Sequence, residues 1–437
     1  MSQSRLTPQT SYAKGAKTAP LTTQTIGQCF DSIVKQHPNQ PALVSVHQSI
    51  RWTYLEFQAE VDRLATGLLA LGVEPGDRVG IWSPNCAEWY LTQLATAKMG
   101  AIMVCINPAY QTYELEYALN KVECKVIITA ACFKASNYLE MLNTLAPELA
   151  DSEPGHLCSV ALPHLKLVIR LGLDKTPGTL NFDDVCDLGG ADQREQLERL
   201  GTQLNHQNAI NIQFTSGTTG NPKGATLTHY NILNNATRVA QGMRFTEKDR
   251  LCIPVPLYHC FGMVMGTLAC VTQASCVVFP GPSFNPLDAL VTVEAEACTA
   301  LHGVPTMFIA ELEHPRFKEF DLSSLRTGIM AGATCPIEVM KRVQSELHMN
   351  EILIGYGQTE TSPLNHLTLP DDPLDKRVET VGRASDHLEI KIIDEQGVTV
   401  PIGDKGEICC RGYAVMQGYW NDPEKTAETI DAEGWLH

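Results

Sequence analysis

The sequence predicts an α/β protein of largely parallel sheets covered by helices, with a smaller β-rich lobe towards its C-terminal end. Three observations predict it. Short apolar runs alternate with helical segments along most of the chain, the pattern of parallel strands joined by crossover helices. The length, 437 residues, exceeds one simple core and implies two or three lobes. After about residue 370 the runs turn to period two, separated by glycine turns.

The elements follow in order. The start, "MSQSRLTPQTSYAKGAKTAP", holds basic residues and hydroxyls but no acid and no apolar core. Residues 1–24 therefore read as a disordered tail, not a secretory signal, with a weak likeness to an organelle transit peptide. "TYLEFQAEVDRLATGLLALG" opens with a capping box, Thr53 and Glu56. Tyr54, Phe57, Val61, Leu64, Leu68 and Leu71 keep helical spacing, and Gly72 closes the helix. The runs "DRVGIW", "AIMVCIN", "KVIITA", "KLVIRL", "AINIQF", "LCIPV", "SCVVF" and "ILIGYG" read as strands. "CAEWYLTQLATAKM" and "QTYELEYALNKV" read as helices between them, and residues 150–207 as a long, weakly patterned excursion. "ATLTHYNILNNATRVA" reads as a strand end and then a helix with Thr228 as N-cap. Beyond residue 370, "LEIKIID" and "GEICCRG" are strands and Gly397 and Gly403 mark turns. "DPEKTAETI" opens a helix with Asp422 as N-cap and Pro423 in its first position.

One stretch calls for a membrane test. Residues 251–287 contain no Asp, Glu, Lys or Arg, and "FGMVMGTLACVTQASCVVF" is long enough to span a bilayer. It also holds Gly262, Gly266, Gln273 and Ser275, with Pro254, Pro256, Pro280 and Pro282 around it. A buried helix followed by a buried strand is the expected reading, with no transmembrane segment.

Composition narrows the function classes. The net charge of −16 argues against a nucleic-acid binder. It leaves nucleotide substrates open, because phosphates can be met by local loops. The 15 cysteines include no C-x-x-C, and no His/Cys cluster has zinc spacing. Buried thiols in a reducing, cytoplasmic setting are expected. The sequence says nothing of oligomeric state.

The most informative segment is "TSGTTGNPKG", residues 215–224. It carries three glycines, four hydroxyls, one proline and one lysine, and no large apolar side chain. A glycine-rich turn after a strand leaves backbone N–H groups open to an anion, above all a phosphate chain. Thr215, Ser216, Thr218 and Thr219 add hydroxyl donors and Lys223 a cation. Gly217 and Gly220 keep the backbone bare. Asn221 and Pro222 separate Gly220 from Lys223, so the segment is not a Walker loop.

That segment resembles the phosphate loop of the adenylate-forming superfamily of acyl-CoA synthetases, firefly-type luciferases and peptide-synthetase adenylation domains. Three more motifs resemble that family in the same order: "MAGATCP", "GYGQTE" and "GEICCRGYAVMQGYWNDPEKT". "PLYHCFG" and "RGYAVMQGYW" look closest to medium-chain fatty acyl-CoA synthetases. The resemblance runs from about residue 25 onward. It implies two helix-covered sheets over residues 25–370 and a distorted-barrel lobe over 371–437. It also implies ATP and CoA as small-molecule substrates, with Mg²⁺.

Residue roles implied by the resemblance are as follows. The 215–224 loop holds the leaving phosphates, with Lys223 as cation. Tyr356 stacks near adenine, with Gly332 and Ala333 across from it and Gly357 and Gln358 beside it. Thr359 bonds the α-phosphate. Glu360, with Thr218, holds Mg²⁺. His259 stands between acid pocket and thiol path. Phe261, Gly262, Val304 and Gly355 line the acid pocket. Residues 260–287 offer no carboxylate to pair an ammonium, so an apolar acid is expected rather than an amino acid. An aryl-acid or carrier-protein ligase and a non-catalytic nucleotide binder are the alternatives. The family's ribose-binding aspartate and C-terminal lid lie beyond "EGWLH", so the 437-residue chain alone is expected to be nearly inactive.

Overall fold

The computed structural model describes residues 10–215 and 221–437. Two large sheets organise them. The first has eight strands, in the order Leu180–Asn181, Leu167–Arg170, Val126–Thr129, Arg78–Trp82, Ile102–Cys105, Ala209–Thr215, Lys223–Thr228 and Gly418–Tyr419. The first six are parallel; the last two join antiparallel. The second sheet has nine strands, with a parallel centre from Pro41–Ser45 through Cys276–Phe279, Arg250–Cys252, Ala300–Leu301 and Thr327–Met330 to Glu351–Gly357.

Strand alternation sets the layers. Along Ile102–Cys105, Met103 and Cys105 enter the central core while Ile102 and Val104 enter an outer one. In the second sheet Leu43, Leu251, Val277 and Leu353 point to the same central core, and Val44, Cys252, Val278 and Ile352 to a third cluster outside. Successive strand residues face opposite sides, so both faces of each sheet are buried. Helices Tyr54–Ala70, Ala87–Met99 and His229–Gly242 fill the layer between the sheets. Ala87–Met99 is buried on nearly every side, and several of its polar side chains are met internally, though the Trp89 indole N–H is not. Lys98 bonds Asp31 at 2.7 Å and Asp62 at 2.5 Å. Gln93 donates to the Met263 carbonyl at 3.2 Å.

The capping boxes at Thr53 and Thr228 and the Asp422 cap are present. Residues 261–272 are helical, beginning with a π-helical stretch, and Cys276–Phe279 is a strand. No helix among the described residues is long and apolar enough to cross a membrane.

Two expectations are corrected. Residues 10–24 are not a loose tail: Tyr12–Lys14 pairs antiparallel with Leu388–Ile393, which also pairs with Glu407–Gly412. A short polar strand carries little apolar signal, and the pairing partner lies far along the chain. Nor is residue 370 a clean border. Arg383–Ala384 extends the second sheet and Gly418–Tyr419 the first, so the last portion of the chain stitches both sheets together. The weakly patterned 150–207 region contains a helix, Ala191–Gln203.

One buried acid stands out. Glu311, on helix Pro305–Leu312, is 1% exposed, and neither carboxylate oxygen has a hydrogen-bond partner. Burial alone pushes its pKa up to about 8.

Candidate active site

The phosphate-loop motif sits at the tip of a hairpin. Ala209–Thr215 pairs antiparallel with Lys223–Thr228, and Thr215 stands opposite Lys223. Strand to strand, not strand to helix, is therefore the local geometry. Helix His229–Gly242 starts at the far end of the second strand, so its dipole does not point at the loop. Ser216, Gly217, Thr218, Thr219 and Gly220 lie outside the described residues.

A cleft of about 550 Å³ opens beside this hairpin. Its wall includes Thr215, Lys223, His259, Gln358, Thr359 and Glu360. Four separate segments deliver these groups. Thr359 and Glu360 lie in a 3₁₀ turn just past strand Glu351–Gly357. The turn is fixed by the Gln358 N–H on Thr361 Oγ1 at 3.1 Å and the Thr361 N–H on the Gln358 carbonyl at 2.8 Å.

At the cleft's centre three groups connect. Lys223 Nζ donates to the Tyr419 hydroxyl at 3.0 Å, and that hydroxyl donates to Glu360 Oε1 at 2.8 Å. Lys223 Nζ also stands 4.3 Å from the Tyr419 ring centre. Burial, and then the Glu360 carboxylate, raise the Tyr419 phenol above its ordinary range. It remains a neutral relay between a cation and an anion. Tyr419 is the residue that sequence reasoning left without a role; its one signal is its place in the "GYW" of the fourth motif. Its backbone is pinned by strand pairing to Ala225. Met416 N–H bonds the Glu360 carbonyl at 2.9 Å. Asn107, Phe214, Tyr258, Thr429 and His437, also without a predicted role, complete the wall.

His259 stands at the rim. Its Nδ1 accepts the Phe261 N–H at 3.1 Å, which leaves the proton of the neutral ring on Nε2. The protein packed around the imidazole desolvates it and lowers its pKa below the usual histidine value, although its edge stays open to solvent. His302, 0% exposed, is held differently: Nδ1 accepts the Ile329 N–H and Nε2 reaches the Met265 carbonyl. Burial pulls it down to about 4, a structural histidine.

A second cleft, about 500 Å³, is lined by Gly332, Ala333, Gly355, Tyr356 and Gly357 on one side and by residues 378–381 on the other. Tyr356 is 38% exposed and meets His366 edge to face, ring centres 5.8 Å apart. The wall of residues 378–381 has no motif and is invisible in the sequence. The predicted acid-pocket residues border the two clefts and the core beside them. Gly355 lines this second cleft, and His259 the first. Phe261 is 5% exposed within the central core, and Val304 packs on that core. Gly262 is tightly set: an added Cβ would lie 2.5 Å from the Pro256 carbonyl oxygen.

Residues 30–420 match the family model described as AMP-binding enzyme. The chain belongs to the AMP-binding enzyme family. Among relatives of this AMP-binding enzyme, YngI of Bacillus subtilis, named as an acyl-CoA synthetase, is 45% identical over 96% of this chain and 76% of its own length. A Danio rerio protein named as a mitochondrial medium-chain acyl-CoA ligase is 44% identical, over 98% of this chain and 71% of its own. Among solved structures, an anthranilate CoA ligase in complex with anthranoyl-AMP superposes with a TM-score of 0.81 at 25% identity, covering 96% of this chain and 75% of that one. The inhibitor-bound N-terminal domain of FACL13 from Mycobacterium tuberculosis gives 0.80 at 25% identity, with 94% and 95% covered.

Proposed function

We propose that this AMP-binding enzyme activates a fatty acid of medium length with ATP and transfers the acyl group to CoA. The observation that carries the reading is the Lys223–Tyr419–Glu360 chain in a cleft beside the 215–224 hairpin. In the first step a carboxylate oxygen attacks the α-phosphorus, the bond to the β-phosphate bridge breaks, and pyrophosphate leaves. Charge grows on the leaving phosphates, where Lys223 would stabilise it. Thr359 would hold an α-phosphate oxygen. The second cleft, lined by Gly332, Ala333 and Tyr356, would take the adenine. In the second step the CoA sulfur attacks the acyl carbonyl, the carbon–oxygen bond breaks, and AMP leaves with that oxygen. His259, neutral with its proton on Nε2, would stand beside the thiol path.

Glu360 fits a role as magnesium ligand. One of its oxygens takes the Tyr419 hydroxyl, and the other has no hydrogen-bond partner among the described residues. Magnesium there, completed by phosphate oxygens and Thr218, would neutralise charge on the leaving group.

Medium length is supported by the name of the Danio rerio relative and by the carboxylate-free segment 260–287. All fifteen cysteines are free, which supports a reducing compartment such as the cytoplasm; the name of that relative includes mitochondrial. The test is acid-dependent ATP–pyrophosphate exchange and thioester formation by the full-length enzyme over a panel of acids. Octanoate-sized acids should lead. Aromatic acids turning over faster would favour the aryl-acid reading, for which the anthranilate ligase likeness is the support. Amino acids leading would overturn the pocket argument.

A further inference from the structure

We propose that Glu407, Cys409 and His437 form a binding site for a thiophilic divalent cation, with zinc the best match. Strand Glu407–Gly412 places Glu407 and Cys409 two residues apart, hence on one face. Cys410 and Leu436 exchange backbone hydrogen bonds at 3.0 and 2.8 Å, which lays His437 against that face. The resulting geometry is specific. Cys409 Sγ lies 3.5 Å from His437 Nδ1, and the same nitrogen lies 3.5 Å from Glu407 Oε2. All three ligand atoms lie within 4.8 Å of one another. Tetrahedral zinc, at about 2.3 Å from sulfur and about 2.0 Å from nitrogen or oxygen, sets sulfur and nitrogen roughly 3.5 Å apart and nitrogen and oxygen roughly 3.3 Å apart. Two edges of a coordination tetrahedron therefore already have nearly the right length.

The support around these ligands points the same way. His437 Nε2 faces Asp431 Oδ2 at 3.5 Å. Asp431 is itself held, its Oδ1 accepting the N–H groups of Trp435 at 2.8 Å and Glu433 at 2.9 Å. A carboxylate behind a ligating imidazole fixes the tautomer that leaves the other nitrogen free for metal. Cys409 is buried against Ile393 and Trp435, so its sulfur is shielded from water on the side away from His437. One thiolate and one carboxylate balance a 2+ ion, the Cys409 proton leaving to solvent as the metal–sulfur bond forms. Water supplies the fourth position. Cys409 and His437 are 28 residues apart, too far for a short zinc pattern, so the sequence shows none. Bound metal would fasten residues 431–437 to the small sheet, beside the cleft that His437 also lines.

The test uses chelator-stripped protein titrated with zinc and with cobalt(II). One equivalent should remain after desalting, cobalt should give thiolate-to-metal charge-transfer absorption, and zinc should raise Tm. C409S, H437Q and E407Q should each weaken binding at least tenfold and cancel the Tm shift. A double variant of the two exposed thiols, C132S/C158S, should bind as the parent does. If C409S fails to fold, H437Q and E407Q decide. No retained equivalent in the parent, or unchanged binding in H437Q and E407Q, would overturn the site.

Discussion

Lys223, Tyr419 and Glu360 form the shortest path between cation and anion in the cleft. The backbones of Tyr419 and Glu360 are set by strand pairing and by the 3₁₀ turn, and the two hydrogen bonds align the side chains. Lys223→Ala and Glu360→Ala should each cost roughly 10²–10³ in the rate of adenylation, the usual loss for one charge-stabilising group. Tyr419→Phe keeps the ring and removes only the hydroxyl. It should cost about 10- to 100-fold, matching a hydrogen bond to charged groups, with little change in Tm. Pyrophosphate exchange measured on purified variants of the full-length enzyme checks all three; parental rates in Tyr419→Phe would remove the relay. Glu311 acts on stability instead. Its folded-state pKa, about 8, lies above the ordinary 4.5, so the folded protein holds a proton that the unfolded chain has lost. Stability from this group is fullest below about pH 4.5, drains by about 1.4 kcal/mol per pH unit from there up to about pH 8, and is then spent. Glu311→Gln should therefore raise Tm at pH 8 and leave it nearly unchanged at pH 4.5. Equal effects at both pH values would contradict the assignment.

At the scale of elements, the helix opening at Phe261 is the tightest constraint near the site. It packs Gly262 against the Pro256 carbonyl, and the turn between them carries His259. Gly262→Ala must push that turn outward, because backbone rather than a flexible side chain is in the way. The expected result is a Tm several degrees lower and a larger loss in thioester formation than in pyrophosphate exchange. Equal losses in both steps would argue that His259 has no part in the second. The Thr228 cap is a milder case: Thr228→Ala should destabilise by about 1 kcal/mol, read by denaturant titration.

For the whole molecule, the parallel sheets were legible because their strands are apolar on both faces and bounded by turn residues, as in "KVIITA" and "SCVVF". Caps at Thr53, Thr228 and Asp422 were legible because a cap is a local signal. Pairings between distant polar segments were not. Tyr12–Lys14 finds its partner some 375 residues later, and nothing in three half-polar residues announces it. The same holds for Tyr419: the motif marks its neighbourhood, but only the fold brings its hydroxyl to Lys223 and Glu360. Residues 378–381 have no motif because they contribute a wall, which any chain passing there can supply. ATP should slow amide exchange in residues 332–334 and 378–381 together. Protection of one wall alone would separate adenine from this cleft.

The helices between the two sheets have a consequence for how this chain can change over generations. Trp89 and Leu94 share one packed layer with strands that begin as early as Pro41 and end as late as Gly357. A larger or smaller side chain on either inner sheet face is felt by a helix that also touches the other. Accepted changes should arrive as matched pairs, hundreds of positions apart in sequence. A hybrid gene that takes one sheet from a divergent relative and keeps the other should yield little folded product until that middle layer travels with it.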